Sequence, residues 1–462
     1  MSEHTPSPLS NNTIAAIATP MGAGGISVIR ISGGGALSLA DRLFSPISAA
    51  EKKPSDMKGY TCAYGRIIYK DEFIDEAVLT VFRAPHSYTG EDTVEISCHG
   101  GVFITKRILR AVYECGAVPA SPGEFTRRAF ENGKMTLTQA EAVADVIAAD
   151  CNAVLRRANN VKNGMLYERA ETISGKISDI LARLCVWTDY PDDDAPEIDE
   201  NMLRDELSSL SGELSALIGV YDNTRIIRNG IQTVIAGKPN TGKSTLMNAL
   251  SGSRRSIVTD IAGTTRDIIE ESVRLGDITL ALADTAGIRE NADTIEQIGI
   301  DMANERIDTA DLVLAVFDGS DALDDDDMRL IERCSSLKCR RIAVINKTDL
   351  PEIIDRAAFE RFDRTAVISA KEIRFEELTD AVTELFADVS AADEIIINER
   401  QRQCLVTAKE RIDEALAAVN NITLDAVTII IDEALAAMLE LSGKRVTENV
   451  VDSIFSKFCV GK

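Results

Sequence analysis

The segment Gly237-Lys238-Pro239-Asn240-Thr241-Gly242-Lys243-Ser244 fits G-x-x-x-x-G-K-[ST], and that pattern works only in one local architecture. It needs a strand before it and a helix after it. The short apolar run Thr233-Val234-Ile235-Ala236 supplies the first, and the helix-like stretch Thr245 to Leu250 supplies the second. In such a turn, backbone N–H groups converge on phosphate and the helix N-terminus adds its positive end. Lys243 would reach the β- and γ-phosphates, and Ser244 would ligate Mg²⁺.

Further motifs follow at the required order. Thr259-Asp260-Ile261-Ala262 leads into Gly263-Thr264-Thr265-Arg266-Asp267, which offers threonines to a switch that senses γ-phosphate and metal, Thr265 being the second expected Mg²⁺ ligand. Leu280 to Ala283 runs into Asp284-Thr285-Ala286-Gly287, a strand-end carboxylate for the metal side and a glycine whose N–H can face the γ-phosphate. Ala343-Val344-Ile345 delivers Asn346-Lys347-Thr348-Asp349. The Asp349 carboxylate can accept two N–H bonds from a guanine edge and would repel the acceptor of adenine. Ser369-Ala370-Lys371 would close the base pocket. The set resembles the translation-factor-like GTPases, and the expected ligand is GTP.

With 462 residues the chain is too long for one core, and about three domains are expected. No run of about 18 apolar residues suggests a membrane span, and Met1 to Asn12 is polar, without a basic-then-apolar leader. Nine cysteines, no C-x-x-C and three histidines argue for reduced thiols rather than a zinc site. The net charge of −24 argues against general adhesion to nucleic acid. It is uneven: residues 1–128 carry 13 basic and 13 acidic side chains, and the rest carry 37 and 61. RNA contact would be local, through Lys106, Arg107, Arg110, Arg127 and Arg128, unless these form an ordinary solvated face.

Strand candidates at Ile26–Ile31, Ala77–Phe82 and Thr93–Ser97, separated by Gly-rich turns, give an α+β reading for 1–128. From 129 the pattern is helical. Thr138-Gln139-Ala140-Glu141 reads as a capping box, and Leu203, Leu207, Leu210, Leu214 and Leu217 recur as one helical stripe. Tyr190 to Pro196 reads as a breaker, and Asp324 to Asp327 as an exposed loop. Helical patterning returns after 389. The expected organisation is multidomain: an α+β N-terminal domain (1–128), a discontinuous all-α domain (129–229 and 389–462) and an inserted α/β P-loop GTPase domain (230–388).

The chain ends Phe458-Cys459-Val460-Gly461-Lys462. That Cys-x-Gly-Lys end, Asn240 in the phosphate loop, and Gly263 to Asp267 resemble the MnmE (TrmE) family of tRNA-modification GTPases. Ala18-Thr19-Pro20, Arg30-Ile31-Ser32-Gly33, Tyr88-Thr89-Gly90-Glu91-Asp92, His99-Gly100-Gly101 and Pro122-Gly123-Glu124-Phe125 agree. The resemblance covers essentially the whole chain. It implies a cytoplasmic homodimer that works with a flavoprotein, MnmG or GidA, in a heterotetramer. Together they would add an aminomethyl or carboxymethylaminomethyl group at C5 of the wobble uridine (position 34) of certain tRNAs. The one-carbon unit would come from 5-formyl-tetrahydrofolate or a related folate, held in the N-terminal domain, with contacts carried over to Arg30, Glu95, Lys134 and Lys462. Arg and Lys suit a carboxylate tail, and a carboxylate suits the donor edge of a pterin.

Ile288 stands where Ras-type proteins place a water-orienting Gln. The resemblance implies that Glu296 takes that work and that K⁺ is bound by Asn240, Thr259, Ile261 and Thr264, in place of an arginine finger. Cys459 is open between a nucleophile or one-carbon thiol and a buried structural cysteine at the end of an apolar helix. Two other readings use the same residues: a GTP-driven ribosome-assembly switch without RNA chemistry, and a folate-binding dimer with a vestigial GTPase. The Cys-Val-Gly-Lys end disfavours the first, and an undegraded nucleotide cassette disfavours the second.

Overall fold

A computed structural model of the chain describes residues 12–48, 52–149, 152–189, 198–253, 271–275, 278–282, 310–387, 395, 397–419, 421 and 423–462. They divide into two compact units, one drawn from 1–144, 167–176 and 435–462, the other from 145–166 and 177–434.

In the first unit, chain order is β1 (Ile14–Ile17), β2 (Ile26–Ser32), α1 (Ala36–Leu43), β3 (Phe44–Pro46), β4 (Thr61–Tyr69), β5 (Glu72–Phe82), β6 (Thr93–His99), α2 (Val102–Glu114), β7 (Val118–Pro119), α3 (Glu124–Glu131) and α4 (Leu137–Ala148). The strands form one sheet in the order β3-β4-β5-β6-β2-β1-β7, antiparallel except for the β1–β7 pair. Alternation decides the faces. Ile29, Ile31, Leu79, Val81, Val94 and Ile96 are buried together with Leu39, Leu43, Ile108 and Val112 from α1 and α2. The β2–β6 register sets Arg30 directly opposite Glu95. All three expected strands are present, β5 beginning earlier, at Glu72.

The capping box lies two residues ahead of the expected one. The Thr136 hydroxyl accepts from the Gln139 N–H (3.3 Å), and the Gln139 side chain accepts from the Thr136 N–H (2.8 Å). Thr138 is inside α4 and fully buried. The earlier frame is the one that sends Leu137 into the core, with Ala140, Val143, Val451, Phe455 and Phe458. One member of the basic cluster, Arg128, is also corrected. Arg128 is only 2% exposed and is held by Glu91 (3.1 Å) and Glu124 (2.9 Å), because α3 turns Phe125, Arg128 and Ala129 inward. Arg127, Arg107 and Arg110 are paired with Glu131, Glu72 and Glu114.

The second unit holds α5 (Asn152–Lys162), most of α6 (Met165–Asp189), α7 (Glu200–Asn229), β8 (Ile231–Ala236), α8 (Lys243–Ser253), β9 (Glu271–Leu275), β10 (Ile278–Leu282), β11 (Leu312–Asp318), α9 (Asp325–Ser335), β12 (Arg340–Asn346), β13 (Arg364–Val367), α10 (Glu376–Leu385), α11 (Glu399–Ala418) and the start of α12 (Leu424–Ser442). The five leucines of α7 are all buried. That helix, which precedes the sheet in sequence, packs along α11, which follows it: the Ser211 hydroxyl donates to Asp413 at 2.5 Å, and Arg402 lies over the Tyr221 ring. In the first unit, α13 (Glu448–Phe455) follows α12 and joins α4 in the Leu137 cluster.

The second sheet runs β13-β12-β11-β8-β10-β9, parallel but for the antiparallel edge strand β9. Residues 312–317 of β11 are fully buried in a continuous apolar run, as a strand covered on both faces requires. Strand β8 sits between β10 and β11, so the chain leaves it at a topological switch point, where such sheets bind ligands. Asp324 to Asp327 is not a loop. Asp324 caps α9, accepting from the N–H groups of Asp326 and Asp327, and Asp327 returns a bond to the Asp324 N–H. Four acids in a row suit the first turn of a helix, whose free N–H groups and dipole attract negative charge.

Candidate functional site

The β8–α8 turn places the phosphate loop at the carboxyl ends of β8, β11 and β12. Asn240 has φ 66°, a left-handed conformation that asparagine tolerates better than most residues, so the backbone alone gives a reason for its presence. The Lys243 ammonium donates to the carbonyls of Gly237 and Lys238, both at 2.7 Å. Burial lowers its pKa, since losing water penalises the charged form. Ser244 and Thr245 are exposed on the first turn of α8, where the Ser244 hydroxyl, a hard oxygen donor, suits Mg²⁺. Lys238 points away from the loop, to Asp324 (2.9 Å) and Asp327 (2.8 Å); those hydrogen bonds raise its pKa and hold Asp324 at about 2.

The Asn346–Asp349 segment is joined to this loop by Asn346. Its side-chain N–H donates to the Thr241 carbonyl at 2.9 Å, and its side-chain oxygen accepts from the Ala370 N–H at 3.0 Å. Gly242 has φ 94°, and a Cβ there would overlap the Asn346 side-chain nitrogen. Asp349 accepts from the Ser369 hydroxyl at 3.0 Å and has the Lys371 ammonium at 3.6 Å. The Ser369 bond, then Lys371, keeps its carboxyl below the ordinary range despite some burial. Lys347, at φ 68°, donates to Asp318 at 2.5 Å. Burial would raise the Asp318 carboxyl, but Lys347 and Ser320 outweigh it and lower it.

The structure thus assembles Gly237, Asn240, Thr241, Gly242, Lys243, Ser244, Thr245, Asn346, Lys347, Asp349, Ser369, Ala370 and Lys371 at one end of one sheet. Thr259, Asp260, Ile261, Ala262, Gly263, Thr264, Thr265, Asp284, Thr285, Ala286, Gly287 and Glu296 lie outside the described residues. Two contributors were missed by sequence reasoning: Asp318, the partner of Lys347, and the Asp324–Asp327 pair. The strand-end Asp318-Gly319 was the only available signal.

A second constellation lies in the first unit. Arg30 donates through Nε to Glu95 (2.9 Å) and through Nη1 to the Gly461 carbonyl (3.2 Å), with the Tyr88 and Phe125 rings beside its guanidinium. The Phe125 N–H donates to the Lys462 carbonyl at 3.1 Å. Gly461 has φ 99°, and a Cβ there would run into the Ile17 carbonyl. Arg30, Glu95 and residues 461–462 therefore converge. The Lys134 ammonium donates to the Pro85 carbonyl at 3.0 Å and its chain lies against Gly90, in the loop that carries Tyr88. Beneath the Tyr88 loop, Ser32, Thr89, Glu91 and Arg128 form a buried polar network. A cation, a carboxylate and two rings on one patch fit a ligand with a carboxylate and an aromatic donor edge such as a folate. Cys459 is exposed rather than buried, four residues beyond the end of α13.

The second sheet with its phosphate loop is a P-loop GTPase-like α/β domain, carried in a chain with a separate α+β sheet and long helices. The model of the GTP-binding protein TrmE N-terminus matches residues 13–134, and that of the MnmE helical domain matches 137–459. The tRNA modification GTPase MnmE of Acetivibrio thermocellus is 40% identical over 463 residues, which is 98% of this chain and 99% of that protein. Its namesakes from Lachnoclostridium phytofermentans and Geobacter metallireducens are each 39% identical over 98% of this chain and 100% and 99% of theirs. The chain belongs to the MnmE (TrmE) family of tRNA modification GTPases. Among the described residues no helix is long and apolar enough to cross a membrane.

Proposed function

We propose that this chain hydrolyses GTP and that hydrolysis serves the modification of tRNA at C5 of the wobble uridine. The observation that carries the nucleotide half is Asn346, which fixes the phosphate loop and the Ser369–Ala370 turn to each other, so that one residue spaces the phosphates from the base. Asp349 is the guanine acceptor, and Ser369 and Lys371 hold it ionised. Lys243 turns from the carbonyls of Gly237 and Lys238 to the phosphates when they arrive. The residues of the 259–265 and 284–287 segments complete the pocket, with Ser244 and Thr265 as Mg²⁺ ligands.

The finer reading follows the family. Glu296 orients the attacking water, and Asn240, Thr259, Ile261 and Thr264 hold K⁺, which supplies positive charge beside the phosphates. The folate site is Arg30, Glu95, Lys134 and Lys462, within domains bounded as 1–128, 129–229, 230–388 and 389–462. The chain acts as a cytoplasmic homodimer with a flavoprotein partner on tRNA. Turnover in KCl against NaCl tests the K⁺ role, and equal rates would remove it. Glu296→Ala should keep nucleotide affinity and lose most of kcat. An unchanged kcat would remove Glu296 from the mechanism.

A further inference from the structure

Lys238 occupies the second position of the phosphate loop, where the motif prescribes nothing. Its side chain is 15% exposed and runs to two carboxylates, Asp324 at 2.9 Å and Asp327 at 2.8 Å. Asp327 is almost fully buried, and its Oδ1 has no hydrogen-bond partner among the described residues. Both acids are fixed where they are by α9, since each is half of its capping box. The same residue's carbonyl accepts from the Thr241 hydroxyl (3.0 Å) and from the Lys243 ammonium (2.7 Å). Lys238 therefore joins the loop to α9 through its side chain and organises the loop through its backbone.

Two carboxylates one lysine side chain away from a polyphosphate site would repel the ligand. Both side chains also cap the helix, which holds them beside the loop. We propose that Lys238 is a positioning residue for the nucleotide: it pins the first turn of the phosphate loop to α9 and offsets one of the two negative charges that cap α9. This rests on the guanine-nucleotide reading above. Both effects act in one direction. Without the ammonium the loop must be ordered by the ligand, which costs affinity, and the uncovered acids oppose phosphate in a way that salt screens.

The test uses the full chain and a fluorescent GDP analogue, titrated at low and high salt. The wild type should bind saturably; if it does not, the guanine-nucleotide reading falls and this proposal with it. Lys238→Met should weaken binding roughly tenfold at low salt, on the order expected for an uncompensated charge near the ligand, and less at high salt. Lys238→Arg should restore wild-type affinity. Lys238→Met with Asp324→Asn should recover much of the loss, because asparagine caps a helix as well as aspartate does but carries no charge. Wild-type affinity in Lys238→Met, or a double variant no tighter than Lys238→Met at either salt, overturns the proposal. Should Lys238→Met fail to fold, Asp324→Asn alone decides, since Asp327 still holds Lys238: tighter binding at low salt, with the gain shrinking at high salt, is expected, and unchanged or weaker binding at low salt overturns it.

Discussion

Asn346 donates its side-chain N–H to the carbonyl of Thr241 at 2.9 Å, across 105 residues of sequence and at 2% exposure. A buried bond of this kind is costly to leave half-made. It sets the distance between the phosphate loop and the Ser369–Ala370 turn, the parts proposed to meet phosphates and base.

Gly242→Ala should therefore be severe, since the added Cβ overlaps the Asn346 side chain and the backbone is left-handed there. Asn346→Ala breaks the same link from the other side and strands the Thr241 carbonyl and the Ala370 N–H, at about 1–3 kcal/mol each. Both should bind GDP at least tenfold more weakly while the N-terminal sheet melts as in the wild type. Calorimetric titration with GDP checks this, and near-normal affinity in either variant would contradict it.

Asp349 has its pKa lowered, first by the Ser369 hydroxyl and then by Lys371. A lowered carboxyl is stabilising above its unfolded pKa of about 3.9 and loses that contribution as pH falls through the folded value. Carbon-detected NMR titration should find Asp349 ionised below the ordinary carboxylate range. Ser369→Ala should move its midpoint up toward about 3.9. A midpoint that does not respond to Ser369→Ala would exclude the hydroxyl as the cause.

Gly461→Ala should dislodge the chain end from the Ile17 carbonyl and with it the Gly461 carbonyl that Arg30 holds. Binding of 5-formyl-tetrahydrofolate should fall by tenfold or more in this variant and in Arg30→Ala, the usual scale for a charge-assisted contact. GDP binding should be unchanged in both. Equilibrium dialysis with labelled folate reads the first, and undiminished folate binding would detach the Arg30–Glu95–Gly461 cluster from the ligand.

Exposure divides the thiols. Cys62, Cys185 and Cys459 are exposed, whereas Cys98, Cys115, Cys334 and Cys404 are buried, and burial pushes the Cys334 thiol up to about 11. Alkylation at neutral pH followed by peptide mass spectrometry should label Cys459 early and Cys334 only after unfolding. Protection of Cys459 equal to that of Cys334 would return it to a buried structural role.

What the sequence disclosed followed from how local each feature is. The phosphate loop, the Asn346–Asp349 segment and the leucine stripe of α7 are set by neighbours within a few residues, and each took the expected form. Thr136 and Thr138 both satisfy the capping pattern, with Gln139 and Glu141. Only the packing of Leu137 against Phe455 and Phe458 chooses between them. Arg128 and Asp327 read as surface charges because their partners, Glu91 and Lys238, lie 37 and 89 residues away. Lys347 gave no sign of Asp318 for the same reason. Long-range pairing is what hid these contacts.

A GTPase that serves tRNA modification leaves its mark on the nucleosides of total tRNA, which mass spectrometry reads. Cells lacking this protein would be compared with cells complemented by the wild type or by Asn346→Ala. C5-aminomethyl-type uridines should vanish in the deletion, return with the wild type and stay absent with Asn346→Ala. A profile unchanged by the deletion would contradict the account and direct the search to ribosomal particles.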